Sequence, residues 1–196
     1  MKQKIIALLL GFAILMSCNM DENKDNDDSV EKADAANEQL HDTSLTATSQ
    51  VVDEKSTDFL VRAANSSMTE LEMTRIATQQ ASMHQVKDFA TQLGKEHSNL
   101  NAEIKSLAGK KNITLPTAIS TEAQKDVDDL AKKEDKKNFD KSFVNEMIDR
   151  QKECIRLYEE ASKDATDIDV KTFANNSLVK LRVRLDSAQA FKKRHW

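Results

Sequence analysis

Chain breakers are nearly absent from this sequence: its 196 residues include three Gly and one Pro. A protein of many short strands joined by tight turns needs both residues at its corners, so that class is excluded. Cysteine is almost as scarce, with Cys18 and Cys154 alone. No apolar run reaches the ~20 residues that a membrane-spanning helix requires; the longest, Ile5 to Met16, has 12. A strong excess of one charge is missing too. The net charge is −4, and residues 53–196 hold nearly equal numbers of acids and bases, which leaves no electrostatic footprint for nucleic acid. What is present is 32% charged residues with abundant Ala, Lys, Glu, Gln and Leu, the composition of long helices in one domain.

The first residues carry an address. "MKQK" is a short basic region ahead of the apolar core, and the pair reads as a signal peptide over residues 1–17. The following "LMSC", Leu15 to Cys18, resembles the bacterial lipobox, in which cleavage precedes a cysteine whose thiol carries diacylglycerol. The resemblance implies a lipoprotein of the cell envelope, attached to a membrane through lipid on Cys18 and facing the periplasm or the cell surface. With Cys18 acylated, Cys154 has no partner for an intramolecular disulfide. Residues 19–52 contain nine acids and two lysines and few large apolar side chains. Such a composition does not offset the entropy of ordering, so residues 18–54 are expected to form a disordered acidic tether with a reach of about 30–35 Å. The acidic cluster has two readings, an export signal to the cell surface or simple solvation of a linker.

Helical periodicity governs residues 55–196. Phe59, Ala63, Ser66, Glu70, Met73 and Ala77 share one face of a helix over about 57–81, and Val86, Ala90, Leu93, His97, Leu100 and Ile104 one face of a second over about 83–109. A loop with Pro116 follows, then a short helix expected to start in a capping box, Thr121 with Gln124. A helix at about 139–163 shows two seams, one through Phe143, Met147, Arg150 and Cys154, the other through Val144, Ile148, Gln151 and Tyr158. The last helix, about 168–194, runs Val170, Ala174, Ser177, Leu181, Arg184, Ala188. Four long helices with short links at 81–83 and 163–168 are expected to pack as an antiparallel four-helix bundle, with one extra short helix in the long connection. Cys154, on an apolar stripe, reads as a small buried hydrophobe rather than a nucleophile.

Each long helix has a large polar interruption near its middle: Glu70, His97, Gln151 and Arg184. In an antiparallel bundle these positions are level, so the four are expected to form one buried polar layer, with Arg184 as the counter-charge of Glu70. The alternative is that each is satisfied separately, Arg184 reaching outward and His97 facing a carbonyl.

The runs "FLVRAA", "TELEM", "VKDFATQLGKEHSNLNAEIKSLA", "DKSFV", "LYEEAS", "DVKTFA" and "LVKLRVRLDSAQ" resemble the bacterial domain-of-unknown-function family 4142 over about Asp58 to Gln189. That resemblance implies a ferritin-like bundle and an outer-membrane location, and it implies no activity. Where such domains often carry further histidines this chain has Gln151 and Arg184, and Val179 stands where proline is common. Gln is a poor metal ligand and Arg a permanent cation, so Glu70 and His97 are weak metal candidates. A di-iron centre needs paired Glu-x-x-His motifs on bundle helices, and the one match, Glu38 to His41, falls in the expected tether. The sequence thus points to a non-catalytic binding or structural module with no cofactor and an unspecified protein or small-ligand partner. The alternative is a metal-binding or redox protein built around Glu70 and His97.

Anchoring through Cys18 is open to direct test. In Cys18→Ser the precursor should remain uncleaved and the protein should leave the membrane fraction. Normal maturation with unchanged membrane association would rule out the lipid anchor.

Overall fold

The computed structural model describes residues 28–44, 53–133 and 135–196. The signal segment 1–17, Cys18 and the tether residues flanking 28–44 lie outside the described residues. Within them the chain is all-α, with six helices and no strand: α1 (Ser29–Ser44), α2 (Glu54–Gln80), α3 (His84–Lys111), α4 (Thr121–Ala131), α5 (Lys136–Asp164) and α6 (Ile168–His195). None of these helices is long and apolar enough to cross a membrane.

The helix ends are set by local chemistry. Asp53 accepts from the Ser56 amide ahead of α2, and Asp167 from the Asp169 and Val170 amides ahead of α6, satisfying donors that have no partner within the helix. Helix α3 stops where Asn112 turns left-handed at φ 56°, a conformation Asn tolerates better than most residues. The cap of α4 is Ser120, whose hydroxyl accepts from the Ala123 amide. The expected capping box at Thr121 does not form: the cap lies one residue earlier, Ala123 has no side chain to complete a box with it, and Gln124 donates to Asp128 instead.

Contacts at the two ends fix the direction of each long helix. The Ser82 amide and hydroxyl and the Met83 amide, in the α2–α3 turn, all donate to Asp140 in the first turns of α5, at 2.9, 2.6 and 2.8 Å. At the other end Asp167 donates its amide to Asp53 and its carboxylate accepts from Lys111 at 2.7 Å. Helices α2 and α6 therefore run one way and α3 and α5 the other. The connection between Asn112 and Asp135 returns along the length of the molecule and carries α4 on its way.

Helix α1 corrects the reading of residues 18–54 as disordered throughout. Residues 29–44 are helical and lie against α2 and the connection after α3. Their attachment is polar more than apolar. Asn37 exchanges two hydrogen bonds with the Thr114 backbone, at 2.9 and 2.8 Å; Ser29 accepts from the Thr117 and Ala118 amides; Asp28 accepts from the Thr121 amide. Ala33 is the one buried apolar side chain described in it. An inventory of large apolar residues does not register a helix held in this way.

The core consists of two apolar compartments. One holds Phe59, Leu60, Leu100, Ile104, Tyr158 and Leu181, with Phe59 edge-on to Tyr158 at 4.8 Å. The other holds Met73, Val86, Leu93, Phe139, Phe143 and Met147. Where α2 and α3 approach closely, Gly94 lies against Thr74; a Cβ there would sit 3.1 Å from the Thr74 hydroxyl.

Asp140 is 1% exposed and links the α2–α3 turn to α5. Asp140→Ala should lower the stability to urea by about 3 kcal/mol, the loss of three hydrogen bonds to a charged acceptor, two of them from backbone amides. Asp140→Asn should recover part of it. A loss under 0.5 kcal/mol in Asp140→Ala would mean that the turn holds its position without this carboxylate.

Candidate functional site

The four polar interruptions are all buried: Glu70 and His97 are 0% exposed, Gln151 2% and Arg184 8%. On every long helix the polar residue falls between the segments that feed the two apolar compartments. Glu70 follows Ala64 and precedes Met73, His97 lies between Leu93 and Leu100, Gln151 between Ile148 and Cys154, and Arg184 between Leu181 and Ala188.

Their pairing differs from the expected one. Glu70 is in contact with His97, its Oε2 2.9 Å from Nδ1, although the approach lacks the alignment of a directed hydrogen bond. The other Glu70 oxygen faces the Cys154 thiol at 3.9 Å, and that sulfur also meets the Ser66 hydroxyl at 3.1 Å. Ser67 donates to the His97 carbonyl at 3.2 Å. Arg184 is not the counter-charge of Glu70. Its Nε donates to Glu96 Oε2 at 2.7 Å and its Nη2 to the Glu96 carbonyl at 3.3 Å. The reason is azimuthal: Glu96 precedes His97 by one residue, about 100° around α3, which turns it from the core toward α6. Gln151 Nε2, Tyr158 Oη and Arg184 Nη1 are buried without a hydrogen-bond partner.

Reactivity at this site is damped. Burial, then the charge of Glu70, pushes the Cys154 thiol far above its ordinary value. Burial likewise pushes the Tyr158 phenol up, helped by Cys154 and Glu70. A thiol held protonated is a poor nucleophile at neutral pH. Among the described residues no group of three or more His, Cys, Asp or Glu side chains converges on a possible ion position. Glu38 and His41 sit on α1, both exposed, away from this core.

A groove of about 560 Å³ lies beside the site, between α3 and α6. Phe89, Leu93, Leu100, Val179 and Val183 line it together with Arg184 and Glu96, and Lys180 spans it to Glu103 at 3.1 Å. Neither Glu70 nor His97 reaches its wall. Glu96 and Asp140 are the site and support residues that stripe-reading passes over. The signal for Glu96 is the mid-helix arginine of α6, which needs an acid on the neighbouring helix.

A helical domain with two apolar compartments and buried polar residues between them is the class that this geometry defines. The chain belongs to the family described as domain of unknown function (DUF4142), whose model matches residues 29–191 and so takes in α1 as well. Its fold is similar to that in the crystal structure of a DUF305 fragment from Deinococcus radiodurans, with a TM-score of 0.64 at 13% identity, covering 73% of this chain and 98% of that one. No curated protein matches.

Double-mutant cycles in urea should resolve the two contacts. Glu70→Leu alone should cost about 3–5 kcal/mol by leaving His97 buried without its partner, and adding His97→Leu should return much of that loss. Arg184→Met should couple to Glu96→Gln by about 1–3 kcal/mol and less to Glu70→Leu. Additive single effects at Glu70 and His97, or stronger coupling of Arg184 to Glu70, would contradict this arrangement.

Proposed function

We propose that this protein is a non-catalytic binding or structural module of the cell envelope, a ferritin-like four-helix bundle tethered to a membrane by lipid on Cys18. The observation that carries the reading is the closure of its polar core. Acid–base chemistry needs a carboxylate or imidazole within reach of a substrate. Here Glu70 and His97 have no exposure, and the α3–α6 groove is lined by other residues. Arg184 and Glu96, which do border the groove, are paired with each other at 2.7 Å. Helices α2, α3, α5 and α6 and the long return before α5 support the ferritin-like description. The residues do not fit a ferritin-type metal centre, because Gln151 and Arg184 supply no anionic ligand at the level of Glu70 and His97.

A second reading, metal or redox binding in the core, is favoured by one observation: the Glu70 carboxylate has an imidazole beside one oxygen and a thiol beside the other, His97 at 2.9 Å and Cys154 at 3.9 Å. Elemental analysis separates the two. Full-length protein purified without chelator should carry far less than one equivalent of iron, zinc or copper, and chelation should leave its melting temperature unchanged. One equivalent of metal that disappears in His97→Ala would replace the first reading by the second.

A further inference from the structure

Helix α6 bears two stripes. Its core face carries Val170, Ala174, Leu178, Leu181 and Ala188, all buried. On the opposite side Thr172, Asn176, Val179, Val183, Asp186 and Ala190 follow at alternating steps of four and three, the spacing of a helix-to-helix seam. Val179 and Val183 are 67% and 60% exposed, and Ile168, on the same side in the first turn, is 71% exposed. These are three of the five large apolar residues exposed among those described. β-Branched residues are not favoured in a solvated helix by propensity, and no described element of the chain covers them.

Charge along the helix indicates the occupant. Asp167 and Asp169 stand at its start, and Lys192, Lys193 and Arg194 in its last turn. A second α6 laid antiparallel on this face sets each basic end on an acidic end, and the two helix dipoles oppose each other favourably. With Leu181 at the level of the two-fold axis, Val179 of one copy meets Val183 of the other, Asn176 meets Asp186, and Lys193 meets Asp169. The flanking cations are already neutralised within each chain, Lys180 by Glu103 at 3.1 Å and Arg182 by Glu159 at 2.8 Å. Asp167 and Asp169 both hold Lys111, at 2.7 and 2.6 Å; Asp167 is largely covered, and Asp169, still 64% exposed, is the acid that faces Lys193 of the second copy.

We infer that the outer face of α6 is the contact between two copies of this chain, paired antiparallel about a two-fold axis. The seam is self-complementary, as an isologous contact requires. One helix pair of 28 residues each is about 42 Å long and sits at the small end of specific interfaces, so the association is weak and reversible.

Sedimentation of the full-length chain in mild detergent should show a monomer–dimer equilibrium in the micromolar range. The double variant Val179→Lys, Val183→Lys should weaken it at least tenfold while the helical circular dichroism stays unchanged, since neither side chain enters the core. A mixture of differently tagged Val179→Cys and Val183→Cys chains should cross-link to each other faster than either does to itself, above the background of the wild-type chain. A monomer at all concentrations, a dimer indifferent to the lysines, or faster pairing of like cysteines would each overturn the inference.

Discussion

The contact between Glu70 and His97 is the constraint around which the rest of the molecule is arranged. Two ionisable side chains with no exposure, 2.9 Å apart, are tolerable in an apolar interior only while each has the other. Keeping them together requires α2 and α3 to hold a fixed axial register. Gly94 contributes by letting α3 lie against Thr74, and Ser67 ties α2 to the His97 carbonyl. The apolar residues then divide above and below this level, and a slip of either helix by one turn would place Glu70 or His97 among leucines and phenylalanines. Apolar packing alone tolerates many registers; a buried pair of this kind selects one.

Glu96 and Arg184 extend the same logic to the seam between α3 and α6, where packing is looser. Glu96 lies one residue from His97 and so inherits its level, and the guanidinium that reaches it fixes the height of α6. The groove beside it remains open because long polar side chains, Lys180 and Glu103 among them, bridge where leucines would otherwise close the gap. The ends of the molecule are pinned differently, by carboxylates that accept backbone amides: Asp140 at one end, Asp53 and Asp167 at the other. Burial alone would raise the Asp53 and Asp167 carboxyls, but hydrogen bonds from Ser56 to the first and from Lys111 to the second hold both below their ordinary values.

Most of the helical architecture was legible as periodicity. The stripes through Phe59, Val86, Val144 and Val170 mark faces that are buried, and the ends of the long helices fall within a few residues of the boundaries that the stripes suggest. The burial of Glu70, His97, Gln151 and Arg184 follows from the same count. Their partners do not. Spacing gives height along an axis and an approximate face, whereas choosing Glu96 over Glu70 for Arg184 depends on rotation and on which helices are neighbours. Helix α1 escaped for another reason. Its anchor is Asn37 on the Thr114 backbone, and a side-chain amide that completes a loop leaves no periodic trace. Asp140 is similar, since its role lies in a turn 58 residues away.

The order of the helices also bears on how the molecule assembles in time. Each half is a hairpin of sequence neighbours, α2 with α3 and α5 with α6, and such local contacts form fast because little chain entropy is lost in closing them. The seam between the halves is different, because its residues are separated by the whole return from Asn112 to Asp135. Until the halves dock, Glu70 and His97 can already meet within the first hairpin, whereas Cys154, Gln151 and Arg184 belong to the second. The first hairpin therefore brings its own polar pair to the encounter, and docking completes the apolar walls around it.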